Sequence, residues 1–148
     1  MKNPKVPSVF GKILSITLVL IAIGSIGAFT YNIAVPPVTE KFTEFYVLNS
    51  EGKATGYPQN LDAGKEAKVI LGIVNQEQKT VSYRMEVRIN QVKVNEAGPV
   101  VLEQGETHQE MITFQPASAG DNQKVEFLLY QSGQSEVYQS VYILVNVK

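Results

Sequence analysis

The sequence predicts an all-β fold: an Ig-like, fibronectin III-like antiparallel sandwich behind a single N-terminal transmembrane helix. Three observations carry that expectation. A run of 27 residues, Ile13 to Thr39, contains no charged side chain. Everything after Pro36 is polar, alternating and punctuated by Gly and Asn. Within it, Thr80 to Asn90 alternates apolar and polar side chains without a break, the period of a strand.

The first part of the uncharged run, 13–34, is mostly Ile, Leu, Val, Ala and Gly. At about 1.5 Å per residue such a helix spans roughly 33 Å, close to the hydrocarbon thickness of a bilayer. A buried core helix of this kind, with no polar face, needs a much larger protein around it. A cleaved signal peptide is the stronger competitor, with Ser25-Ile26-Gly27 as its best small-x-small site. That site lies inside the apolar run, however, and cleavage after Ala28 would place Ile26 at the −3 position. A retained anchor is therefore the favoured reading, and a secreted domain after cleavage the alternative. Lys2, Lys5 and Lys12 precede the run and only Lys41 follows closely, which keeps 1–12 in the cytoplasm and sends the C-terminal domain outside. Tyr31 suits the outer interface. Gly24 and Ala28 form a small-xxx-small pair that lets two helices approach, one route to a homodimer.

Subtracting the anchor leaves about 110 residues, enough for one domain with its own core. The absence of cysteine removes disulfides, thiolate metal sites and cysteine nucleophiles together. All 14 acidic residues follow the run, against 10 of the 13 basic ones, so the domain carries about −4 and no basic cluster. Nucleic acid is not an expected partner, because phosphate neutralisation supplies most of that affinity.

Residues 35–41, with Pro36-Pro37, read as a stiff stalk. The domain, 42–148, opens on Phe42–Leu48, aromatic-rich and strand-like, then turns at Asn49-Ser50-Glu51-Gly52. Tyr57-Pro58 and Asp62-Ala63-Gly64 mark loop and turn. Glu66 to Asn75 is apolar on both faces, as in the middle of a sandwich sheet. In Thr80–Asn90, Val81, Tyr83, Met85, Val87 and Ile89 share one face, and Ser82, Arg84, Glu86, Arg88 and Asn90 the other. A short polar strand is expected around Gln91–Val94 and another at Val100–Leu102, separated by Gly98-Pro99. His108–Phe114 brings Ile112 and Phe114 together, and Pro116 to Asn122 reads as a loop. Val125, Phe127 and Leu129 point inward in the next strand. Val137 to Val147 closes the chain with Val141, Ile143, Val145 and Val147 on one face. Seven or eight short strands without a convincing domain helix define a sandwich.

The residues Phe42–Leu48, Gly52, Tyr57-Pro58, Leu61, Gly64, the Gly72-Ile73-Val74-Asn75-Gln76-Glu77 block and Tyr83 carry a resemblance. Together they resemble the extracytoplasmic domain of a family of predicted membrane proteins of unknown function, of the DUF1616 type. The match is close over Phe42–Ile89 and rests on pattern beyond it. Many members carry several spans before this domain, whereas this chain has one. The resemblance implies an Ig-like outer domain at a membrane and supplies no catalytic residues.

Chemistry-bearing residues are sparse. His108 is the only histidine and reads as a solvent-facing residue beside a turn. Asp62 and Asp121 lie in separate expected loops without calcium-loop spacing. Paired carboxylates acting on a glycoside lack any Trp for sugar stacking. No catalytic, metal or cofactor-binding residue is assigned, and no cofactor is expected. Exposed aromatics are the remaining signal: Tyr138, Tyr142 and Leu144 are expected to share the outer face of the last strand, as a partner-binding patch or as a second face covered by a loop. The functional expectation is a non-enzymatic interaction module, held in the bilayer by its helix and binding a membrane protein, the envelope or a second copy. The alternative is an accessory subunit of a larger membrane complex, a transporter or an envelope enzyme.

Overall fold

The computed structural model of the chain describes residues 9, 12, 13, 15–21 and 40–148, in two units, Met1–Thr39 and Glu40–Lys148. In the first unit, the described residues 12, 13 and 15–21 are helical, and the Thr17 hydroxyl donates to the Ile13 carbonyl at 2.9 Å. Among the described residues, no helix is long and apolar enough to cross a membrane. Gly24, Ala28, Tyr31 and the rest of the expected span beyond Ile21 lie outside the described residues, as does the stalk up to Thr39.

The second unit is a two-sheet sandwich. Its strands are β1 (Phe42–Asn49), β2 (Asn60–Leu61), β3 (Ala67–Gln76), β4 (Val81–Ile89), β5 (Val92–Leu102), β6 (Thr107–Phe114), β7 (Gly120–Gln131) and β8 (Gln139–Val147). One sheet has the order β1-β3-β6, the other β2-β8-β7-β4-β5. Every pairing is antiparallel except the two-residue contact of β2 with the end of β8. β3 is the middle strand of its sheet, so its outer-face Ile70 and Val74 are flanked on both sides by β1 and β6 and are half-buried.

The expected alternation of β4 holds: Val81, Tyr83, Met85, Val87 and Ile89 are all buried. They meet Val69, Leu71 and Ile73 of β3, Val125, Phe127 and Leu129 of β7, and Ile143, Val145 and Val147 of β8 in one core. Phe114 and Phe127 contact edge to face across it, with centroids 6.2 Å apart. At one end a buried polar knot joins the sheets. Glu77 Oε1 accepts from Thr43 Oγ1 at 2.8 Å, Tyr138 OH at 2.5 Å and Gln131 Nε2 at 3.3 Å. Since the single Thr43 proton goes to Glu77, the Tyr83 hydroxyl donates to Thr43 at 2.8 Å. Burial, together with the Glu77 carboxylate, pushes the Tyr83 and Tyr138 phenols up.

Several local expectations change. The two strands expected around Gly98-Pro99 are one, β5, with register shifts opposite Tyr83/Met85 and Val87/Arg88. Gly98 sits at φ +109, where a Cβ would come within 2.9 Å of the Tyr83 carbonyl, so the bulge requires glycine. Asp121 falls inside β7, which begins at Gly120 rather than after the expected loop. His108 is half-buried on the same side of β6 as Ile112 and Phe114, with Nε2 3.3 Å from Glu110 Oε2, because strand parity turns it inward.

Candidate interaction surface

The outward face of the five-stranded sheet is assembled from alternate residues of β4, β7 and β8. Registers align them in rows: Tyr142–Glu126–Arg88, Ser140–Leu128–Glu86, and Tyr130–Arg84. Glu86 is only 4% exposed although it stands on the polar side of β4. Arg88 Nε reaches it at 2.5 Å, Arg84 Nη1 at 3.0 Å and Lys93 Nζ at 3.9 Å. Burial alone would raise its carboxyl; the hydrogen bonds from Arg88 and Arg84 and the charges of Arg88 and Lys93 outweigh that and hold it below the usual range. Arg84 lies 4.1 Å from the centroid of the buried Tyr130 ring, and Arg88 Nη2 donates to the Tyr130 hydroxyl at 3.3 Å. The middle of this face is a closed ion-and-ring lattice.

Its β8 margin is different. Tyr142 is 60% exposed and Leu144 51%. Lys124 Nζ sits 4.8 Å from the Tyr142 centroid and pairs with Glu126 at 2.5 Å, so the charge here is already matched while Tyr142 and Leu144 stay largely exposed. Tyr138 does not join them. Its N–H donates to the Leu129 carbonyl, while Leu129 faces Gln139 in the ladder, so two residues oppose one, as in a bulge. That doubling reverses the parity: the Tyr138 ring packs against the core and its hydroxyl reaches Glu77. The expected three-residue patch is a two-residue patch plus one structural tyrosine.

A second apolar surface is foreshadowed in the sequence only by the apolar outer side of Glu66–Asn75. On the outer face of the three-stranded sheet, Leu48, Ile70 and Met111 form one row, with Met111 52% exposed. In the next row Tyr46 lies over Gly72, where a Cβ would meet the ring at 2.1 Å, and its hydroxyl accepts from Gln109 Nε2 at 2.9 Å. The signal for this face is the absent side chain at Gly72, legible only once β1 is registered against β3.

Asp62 is exposed and bonded to Lys65 at 2.7 Å, and Asp121 is exposed on β7. Among the described residues no group of three or more His, Asp or Glu is placed to hold a metal ion. A shallow groove of about 280 Å³ beside the β5 bulge is lined by Arg84, Pro99, Gln131, Ser132 and Gln134. It offers one cation and several amides and hydroxyls, with no nucleophile–base pair.

The fold is an Ig-like two-sheet β-sandwich resembling that of CARDB domains. The likeness extends over 74% of this chain and 97% of the CARDB domain of a Pyrococcus furiosus protein crystallised with di-metal ions, at TM-score 0.52 and 17% identity. The solution structure of that domain gives 0.50 and 17% over 73% of this chain and 97% of that one. The C-terminal domain of wzt gives 0.50 at 7% identity, covering 76% and 80% of the two chains. The chain belongs to the family described as a domain of unknown function (DUF1616), whose profile matches residues 36–146. No curated protein matches the sequence.

Proposed function

We propose that the chain is an interaction module: a β-sandwich held outside the cytoplasm by a retained helix at 13–34, with no chemistry of its own, that binds a protein through the β8 margin of its larger sheet. The observation that carries this reading is the pair Tyr142 and Leu144, both more than half exposed, beside a lattice in which the charged groups are already paired. Large apolar side chains left outside such a lattice are what a partner buries. The uncharged run Ile13–Thr39 and the lysines before it support the membrane location and orientation.

The test is co-purification of the full chain in mild detergent, compared with a Tyr142→Ser/Leu144→Ser variant. The expected outcome is loss of the bound species with an unchanged melting temperature. Retention of that species by the double variant would place the binding surface elsewhere.

A further inference from the structure

The four sheet margins of this sandwich are not equivalent. An edge strand exposes a row of unpaired N–H and C=O groups, and proteins blunt it with charges, proline, bulges or covering groups. On β1, the residues facing away from β3 are Thr43, Phe45 and Val47; Gln139 Nε2 donates to the Thr43 carbonyl and Tyr57 OH to the Val47 carbonyl. β5 carries Lys93, Glu96, Pro99 and two register shifts. β6 turns His108 and Glu110 inward, and Asn95 Nδ2 donates to the Thr113 carbonyl at its edge.

Between the Tyr138 bulge and the β2 contact, β8 has none of these devices among the described residues. Its sequence, Gln139 to Val147, contains no charge, proline or glycine. Its N–H groups at Asn146 and Lys148 bond to the carbonyls of Gln59 and Leu61, and the Lys148 carbonyl to Ala63. Even-numbered residues therefore point their backbone groups away from β7, and β2 covers only the last of them. Among the described residues, Ser140, Tyr142 and Leu144 are left uncovered, their backbone groups facing the open edge and their side chains the outer face. The bulge at Tyr138 closes one end of this window and β2 the other, so the open stretch is symmetric about Tyr142.

We infer that the open edge of β8 pairs with β8 of a second copy, antiparallel about a two-fold axis at Tyr142. This rests on reading the domain as an interaction module and names its partner. In that register Tyr142 faces Tyr142 of the second copy and Ser140 faces Leu144, each pair exchanging both its backbone bonds. A two-fold axis perpendicular to the sheet keeps both outer faces on one side, and the apolar residues merge into one strip. The two Glu126 residues stay about three strand spacings (~14 Å) apart, and the Lys124 that lies against each Tyr142 ring is already paired with its own Glu126. An edge this short buries less than the ~1,200 Å² of a standard interface, so the pairing is weak and depends on local concentration.

The chain has no cysteine, so single thiols report this geometry directly. Facing residues of a hydrogen-bonded pair lie about 5.5 Å apart between Cα atoms, within disulfide reach. The full chain carrying Tyr142→Cys, in detergent with a copper oxidant, is expected to form disulfide dimers at least about tenfold faster than Met111→Cys on β6, which is also more than half exposed. Ser140→Cys and Leu144→Cys chains are expected to couple when mixed and slowly when alone. Adding Leu144→Lys, or Ser140→Pro, which removes an edge-facing N–H, to Tyr142→Cys should reduce coupling to the Met111→Cys rate. A melting temperature near that of the unmodified chain identifies either variant as folded, and Leu144→Lys serves where Ser140→Pro is not. Equal rates for Tyr142→Cys and Met111→Cys, or fast self-coupling of Leu144→Cys, overturns the pairing. A different protein lost on Tyr142→Ser/Leu144→Ser substitution, with no coupling at Tyr142→Cys, overturns the second copy while leaving the interaction module standing.

Discussion

Val87 and Arg88 are neighbours on β4 with opposite surroundings, and their substitution by Asp separates two kinds of cost. Val87 is buried among β3, β7 and β8 side chains, where a carboxylate finds no cation. Val87→Asp is expected to cost about 4 kcal/mol or more, enough to unfold a domain of ordinary stability. Sequence pattern alone makes Arg88→Asp nearly neutral, as a change on a solvated face. The structure revises that: Arg88 is a main partner of the buried Glu86, and Asp there would put a second carboxylate beside the first. The expected order of melting temperatures is Asn90→Asp highest, Arg88→Asp lower and Val87→Asp lowest. Equal values for Asn90→Asp and Arg88→Asp would show that the Glu86 cluster contributes nothing. The same cluster sets an acid limit. Because the folded carboxyl of Glu86 titrates below its ordinary value, its stabilisation is full above the ordinary carboxylate range and is lost as pH falls through the depressed value. Denaturant titrations from pH 7 down to 3 should therefore show a steeper acid loss for the parent than for Glu86→Gln. Parallel curves would remove Glu86 from the cause.

At the scale of elements, β4 was the most legible because it is long, central and half-buried, and five alternations leave little freedom in register. β7 and β8 were legible in their cores for the same reason, through Val125, Phe127 and Leu129 and through Ile143, Val145 and Val147. What local pattern missed was fixed by a partner strand. β2 is two residues long, and only its bonds to the end of β8 make it a strand. β5 reads as two pieces because Gly98-Pro99 resembles a break, yet β4 holds both pieces in one ladder. Counting in twos from Tyr142 points Tyr138 outward, a rule that stops at the first bulge. Tyr142 and Leu144 were found because no bulge lies between them. The open edge beside them was not legible at all, since which backbone groups face β7 depends on the register, and side-chain pattern carries no record of that.

At the scale of the whole chain, the apolar run and the sandwich make separate claims, and one experiment reads both. The domain from β1 onward contains its own core and a polar knot joining its two sheets, so under brief treatment it resists cleavage while the segment before it does not. Lys41 is exposed and immediately precedes β1. If 13–34 is retained in the bilayer with 1–12 inside, brief trypsin treatment of intact cells should release a fragment of about 110 residues beginning near Phe42. A tag placed before Lys2 should stay protected with the membrane fraction until lysis, as the lysines preceding the run require. Protection of the domain in intact cells, with cleavage only after lysis, reverses the orientation. A mature N-terminus near Phe29, on a chain already free of the membrane, replaces the anchor by a signal peptide. In that case the β8 edge would lose the crowding that a membrane supplies to a weak contact, and cross-linking through Tyr142→Cys should then fall with dilution instead of following the density of chains in the bilayer.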